Sequence, residues 1–306
     1  MTSLQQHEKT NGVVFDADAA HDLLDQPDAA SSVPAAYRGL WRRTLLTTGD
    51  GRIDRETRVF WMQTARVHVD IRVPATRGAF GSESALADLT REQLIELAAQ
   101  MGFAGVTTVD PAAVAVDVDA GNLDRCTWHR QIDFSPPADA RDLGTMRFET
   151  QDVVLEDGID AVYHERWERD PASLGVTWAM RLSQDDAHAA GLLACDPSDA
   201  LCDDAPSVFI ARCGDFFMLA RSRSPRAQAM LASYRGTRLA EAVRDPALDI
   251  DDVRAVLDFD ISLGRVRDDK GASWTIDLST LPWREGQPAF SACGGAVLDR
   301  LQTTSG

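Results

Sequence analysis

Two runs that read as strands carry the residue types able to move a proton. In CTWHRQIDF, Thr127, His129, Gln131 and Asp133 alternate with Trp128, Arg130 and Ile132, and in DAVYHERWERD, Tyr163, Glu165 and Trp167 share one parity. A carboxyl held against an aromatic wall has its charged form penalised, which suits it to general acid–base work. Glu165 and His129 are therefore the candidate catalytic pair, on the expectation that the two strands are neighbours and that cross-strand partners meet. A mere buried ion pair, Glu165 with His129 or Arg130, is the competing account. A third run, VFWMQTARVHVDIRVP, offers Trp61 and Gln63, with Arg72 to hold an anionic group. A bulge at Gln63-Thr64-Ala65 would turn Gln63 and Arg72 toward one pocket. Solvated charges on an outer face are the plainer account of Asp70 and Arg72. Together with Trp128, Tyr163 and Trp167, these residues form the candidate ligand-binding set.

Other chemistries find little support. The six histidines show neither HxH nor HxxxH spacing, so no metal site is expected. There is no G-x-S-x-G elbow and no glycine-rich phosphate loop, which disfavours serine hydrolases and nucleotide-dependent enzymes and implies no cofactor. The five cysteines include no CxxC pair. Cys195 and Cys202 are spaced to close a disulfide in an oxidising compartment, with buried free thiols as the expectation elsewhere.

Strands must position these side chains. In RVHVDIRVP, Val67, Val69, Ile71 and Val73 alternate with His68, Asp70 and Arg72, the period of a half-buried strand, and Pro74 ends it. TTGDGRID is a strong turn signal between two extended runs. A helix is expected over 90–101: Thr90 is its N-cap, Gln93 completes a capping box, and Leu94, Leu97, Ala98 and Met101 recur at helical spacing before Gly102 as C-cap. Strands resume at VTTVD, VAVDVDA, RCTWHRQIDF, TMRFETQDVVLEDG, DAVYHERWERD and VTWAMRLS, with turn formers between them. The spacing predicts an antiparallel barrel or sandwich. Further on, SVFIARCGDFFMLARS reads as a hairpin turning at Cys213-Gly214-Asp215. SPRAQAMLASYRG and RLAEAVR read as helical or irregular, and VRAVLDFDISLGRVR and SWTIDLST as strand-like.

The motifs Trp61 with Gln63, the exit Arg72, Pro74, Arg77 and Gly78, Trp128 on its polar strand, and Tyr163, Glu165 and Trp167 resemble those of a calycin-like β-barrel family. Its fungal member is a casein-kinase-interacting protein, and its bacterial relatives are mostly hypothetical proteins. The resemblance covers about residues 38–182 and the rest only loosely. It implies a mainly β fold of antiparallel lipocalin-like barrels, with two side by side admitted. It carries over neither a reaction nor the kinase partner. The chain departs from the pattern in its helix at 90–101 and its longer acidic lead-in.

The division that follows is a partly ordered lead-in at 1–36, a lipocalin-like barrel at 37–185, a linker or insertion at about 186–205, and a second barrel-like β domain at 206–306. Within 306 residues the net charge is −17, which disfavours nucleic acid and anionic membrane surfaces. No apolar run approaches the roughly 20 residues of a membrane span. MTSLQQHEKTNG lacks a signal peptide's basic and apolar regions, so the cytoplasm is the expected location. A homodimer is admitted but nothing demands it. Seven tryptophans against three tyrosines would plug a barrel or line a pocket for a flat ligand. The expected function is binding of a small organic molecule, with cofactor-free acid–base catalysis of isomerase, cyclase or hydrolase type as its enzymatic form. The alternative is a non-catalytic protein-interaction module with an acidic surface.

Overall fold

The structure, a computed structural model, describes residues 12–14, 32–80, 83–115, 122–193, 206–267 and 273–291. Its first half holds β1 (Gly12–Val14), β2 (Gly39–Thr48), β3 (Ile53–Asp54), β4 (Arg58–Gln63), β5 (Val67–Val73), α1 (Arg91–Leu97), β6 (Met101–Ala115), β7 (Asn122–Asp133), β8 (Leu143–Thr150), β9 (Val153–Gly158) and β10 (Tyr163–Arg169). The second half holds β11 (Thr177–Leu182), α2 (Gln184–Ala189), β12 (Val208–Cys213), β13 (Phe216–Arg221), α3 (Pro225–Met230), α4 (Leu239–Ala242), α5 (Ile250–Leu257), β14 (Asp260–Arg267) and β15 (Ser273–Ser279).

Eight antiparallel strands, β2 and β4 to β10, follow one another in a single sheet that closes because β10 pairs with β2. The short β3 extends β2 at one end. Irregularities in the ladders help the sheet curl. At the one between Ala104 and Gly105, a Cβ on Gly105 would fall within 1.9 Å of the His129 carbonyl oxygen, so only glycine allows the close approach. One end of the barrel is sealed by a 3-10 turn at Ala35–Tyr37, whose Tyr37 carbonyl accepts from Trp41 Nε1 at 2.7 Å. The Arg169 guanidinium lies 4.9 Å over the Trp41 ring.

The run Val59 to Pro74 is a hairpin rather than one bent strand. Thr64 N donates to Val67 O at 2.9 Å and Val67 N to Thr64 Oγ1 at 3.0 Å, so the expected bulge at Gln63-Thr64-Ala65 is a tight turn. Its register sets Val59 opposite Arg72, Trp61 opposite Asp70 and Gln63 opposite His68. Directly opposed residues share a face, and here that face is the barrel interior. Val67, Val69, Ile71 and Val73 point outward, yet all four are fully buried in the core shared with the second sheet. The account of Asp70 and Arg72 as solvated outer-face charges is thereby corrected: the outward face is the dry one.

The second sheet runs β1-β11-β12-β13-β14-β15. Among the described residues no pairing joins its outer strands β1 and β15, so it stands as an open sheet beside one closed barrel. Thr177–Leu182, expected with the barrel, pairs with β1 and β12 instead. The hairpin turning at Cys213-Gly214-Asp215 is present, with Gly214 at φ +55°. VRAVL, expected as strand, lies in α5, because Asp249 caps that helix by accepting from Asp251 N and Asp252 N. Helix α1 has its expected Thr90–Gln93 capping box but stops at Leu97. Met101 and Gly102 open β6 instead, where a Cβ on Gly102 would lie 2.8 Å from the Asp70 carbonyl oxygen. VTTVD and the start of VAVDVDA belong to that one long strand.

The two sheets share one apolar core. Val69 and Ile71 of the barrel join Phe209, Met218 and Leu263 of the second sheet, and α1 contributes Leu94 and Leu97 beside Leu239 of α4, its C-cap Val243, and Val253 and Val256 of α5. Buried arginines tie the halves across this core. Arg223 donates to the carbonyls of Asp133 (2.8 Å), Phe134 (2.7 Å) and Val256 (2.8 Å), and Arg77 to Ser279 O (2.6 Å). Cys126 and Cys213 are buried free thiols, while Cys195, Cys202 and Cys293 lie outside the described residues.

Candidate functional site

A half-open cavity of about 270 Å³ is lined by inward-facing side chains of the barrel. Trp61, Trp128 and Trp167 form its walls, on β4, β7 and β10. Trp61 meets each of the other two nearly edge to face, with ring centroids 5.8 Å apart and interplanar angles of 79° and 69°. Among the described residues the Trp61 indole Nε1 is buried without a hydrogen-bond partner.

Charge enters the cavity from four strands, β5, β7, β9 and β10, and from the loop at Asp142. Arg72 on β5 is held by the Asp70 carboxylate, at 2.8 Å from Nε and 3.2 Å from Nη2. Burial alone would lower the guanidinium's pKa, but Asp70 and Glu165 raise it well above the ordinary value. Two of its donors are thus taken up by Asp70, while Nη1 lies 3.8 Å from Glu165 on the cavity wall. Burial raises the Asp70 carboxyl, and Arg72 opposes the rise. Arg130 on β7 lies flat on Phe103, 3.7 Å above the ring centroid, and is paired with Asp142 (2.7 Å) and Asp133 (3.0 Å). Glu165 on β10 accepts from Arg43 Nη1 at 2.7 Å, with Arg72 Nη1 3.8 Å away. Arg43 also donates to Asp54 at 2.7 Å. The geometry of Glu165 is thus that of a buried ion pair, formed with Arg43 rather than with His129 or Arg130.

Glu156 on β9 stands apart from this pairing. It sits directly opposite Glu165 in the β9–β10 ladder and is 5% exposed. Its two oxygens accept from neutral donors, Tyr163 Oη at 2.7 Å and Trp167 Nε1 at 3.0 Å. Burial first, and then the Glu165 charge, push its pKa up to about 8. Burial and Glu156 together raise the Tyr163 phenol, which stays protonated. A carboxyl that is mostly protonated at neutrality, loses its proton near pH 8 and is open to a cavity can give or take a proton there.

Six of the eight residues singled out from sequence, Trp61, Arg72, Trp128, Tyr163, Glu165 and Trp167, line this one cavity. The other two do not. Because Trp128 and Arg130 face inward, His129 faces outward, where its Nε2 lies 3.0 Å from Thr108 Oγ1 and burial lowers its pKa. Strand β7 neighbours β6 and β8, whereas β10 neighbours β9 and β2, so the expected His129–Glu165 contact is absent. Gln63 faces inward but is committed elsewhere, donating to Thr64 O and Val67 O and accepting from Thr107 Oγ1 at 2.8 Å. Thr107 in turn contacts His68 Nδ1 at 3.0 Å. Since the hydroxyl donates to Gln63, His68 donates from Nδ1 and leaves Nε2 bare. Burial, with Arg130 and His129, holds the His68 pKa well below its ordinary value.

Glu156 is the residue that sequence reasoning missed. The signal was available: in VVLEDG, Val154 and Glu156 share a parity, and both face inward. Among the described residues no group of three or more His, Cys, Asp or Glu side chains is placed to hold a metal ion. No family model matches the chain, and no curated protein or solved structure matches it.

Proposed function

We propose that the chain binds a compact organic molecule inside its barrel and presents Glu156 to that molecule as a proton donor and acceptor. The observation that carries this reading is the buried Glu156 carboxyl, set opposite Glu165 and bonded only to uncharged donors, on the wall of a cavity of about 270 Å³ lined by tryptophans. That volume is at the small end for ligand pockets, so the ligand is compact. Closed antiparallel architecture and a side-chain-lined interior of ligand size support grouping the chain with the calycin-like proteins its motifs resemble. Cofactor-free acid–base chemistry remains the enzymatic form of this proposal, with Glu156 replacing Glu165 and His129 as the proton-transfer group.

The test uses the tryptophans of the wall. Titrating a metabolite panel should yield a ligand that shifts tryptophan emission and raises the melting temperature. Trp178→Phe, in the second sheet, should leave the ligand-induced emission change intact, while Trp128→Phe should diminish it. If turnover accompanies binding, Glu156→Gln should abolish it and His129→Ala should retain it. A panel without any emission or melting change, together with capture of one stoichiometric protein, would overturn the reading in favour of an interaction module.

A further inference from the structure

The residues lining the cavity are unequal in charge. Asp70, Asp142, Glu156 and Glu165 contribute four carboxyls against the two guanidiniums of Arg72 and Arg130. Asp70 is taken up by Arg72, Asp142 by Arg130, and Glu165 by Arg43 behind the wall. Glu156 alone of the four is bonded only to uncharged donors, Tyr163 and Trp167. It lies beside Trp167, and Trp61 meets both Trp167 and Trp128 nearly edge to face, so all three rings line the cavity. The negative faces of such rings attract a cation, most of all where water is excluded.

Resting on the binding reading above, we infer that the ligand is an organic cation, an alkylated ammonium or similar group, seated between Trp61, Trp128 and Trp167 against the Glu156 carboxylate. The exchange balances in charge. Glu156 surrenders one proton to solvent as one cation enters, so the lining and ligand together carry the net charge that the empty lining had before. Without a cation beside it, burial and Glu165 keep Glu156 protonated up to about pH 8. With the cation in place, the carboxylate is the favoured form. An acceptor oxygen on the same ligand would satisfy the Trp61 indole N–H, which has no partner among the described residues. An anionic ligand would instead enter a lining whose four carboxyls outnumber its two guanidiniums, both already paired with Asp70 and Asp142.

Probes that do not titrate isolate the effect: choline and phenyltrimethylammonium as cations, 3,3-dimethyl-1-butanol as the neutral isostere of choline, and benzoate as an anion. Calorimetric titration of the full chain at pH 7, in two buffers of different ionisation enthalpy, counts protons released on binding. The cations should bind with release of about one proton, and their affinity should rise about tenfold per pH unit from pH 6 to 7 and level off above pH 8. Glu156→Gln should weaken cation binding and flatten its pH dependence. The proton count is made on the wild-type chain and so does not depend on that variant folding. Binding of dimethylbutanol or benzoate as tightly as the cations, without proton release, would overturn the cation inference and leave the binding reading standing. If none of the four gives saturable binding or an emission change, the cation inference falls, and the metabolite panel alone decides the binding reading.

Discussion

Glu156 and Glu165 oppose each other across one ladder, and the protein resolves that conflict by giving Arg43 to one and a proton to the other. The resulting pKa has a signed consequence for stability. Between the ordinary carboxyl range and about pH 8, the folded chain binds more protons at Glu156 than the unfolded chain does. Stability therefore falls as pH rises through that window. Glu156→Gln removes this dependence, so its stability relative to wild type should improve from pH 5 to pH 8, by on the order of a few kcal/mol. Urea denaturation at both pH values measures it, and parallel curves for the two proteins would refute it. His68 acts with the opposite sign, because its folded-state pKa is depressed and only the unfolded chain takes up the proton as pH falls below about 6.5. His68→Asn keeps a donor near the Nδ1 position and cannot titrate. It should shrink the loss of stability between pH 7 and pH 5, measured in the same way. At this scale strand parity was readable: Tyr163, Glu165 and Trp167 share a face because successive side chains alternate. What parity cannot give is the neighbouring strand. The barrel order contains no β7–β10 adjacency to join His129 with Glu165, and the residue opposite Glu165 is Glu156.

Local signals mark element starts better than element ends. Thr90 and Gln93 set the N-terminus of α1 because both bonds of a capping box form within four residues. Thr90→Ala should cost about 1 kcal/mol, the usual value of such a cap, with the effect read as a lower denaturation midpoint at unchanged slope. A change in slope instead would mean that the cap governs more than its own helix. The end of α1 was not readable in the same way. Met101 continues the helical spacing, but it is claimed by pairing with Arg72, a strand 29 residues earlier in the chain. The same long-range control explains the Val59–Pro74 run. Its two segments have the correct period, yet nothing in that period separates a bulge from a turn; Thr64, bonded twice to Val67, makes the reversal. Likewise VRAVL has β-branched residues that suit a strand, and the Asp249 cap with the packing of Val253 and Val256 draws it into a helix.

For the whole molecule, the outward row of β5 decides how many units fold. Its alternation is visible in sequence, but alternation says only that one face is dry, not what dries it. The natural inference puts apolar residues inside a barrel; here the inside is polar and aromatic, and Val67, Val69, Ile71 and Val73 are covered by the second sheet. Fully exposing four such side chains would cost about 6–12 kcal/mol, which is comparable to the whole stability of a typical domain, about 5–15 kcal/mol. Cutting the chain would also strip Arg223 from the carbonyls of Asp133 and Phe134, at the end of β7 beside the cavity. A barrel cut from the rest, residues 32–170, should therefore fail to hold its fold, giving poorly dispersed amide resonances and no cooperative melt. The full chain should unfold in one calorimetric transition whose enthalpy matches the van't Hoff value. Two separated transitions, or a fragment with native-like dispersion, would show that the sheet only decorates the barrel. A single transition would mean instead that the second sheet holds the outer face of β5, and with it the inward-facing Asp70 and Arg72, in place.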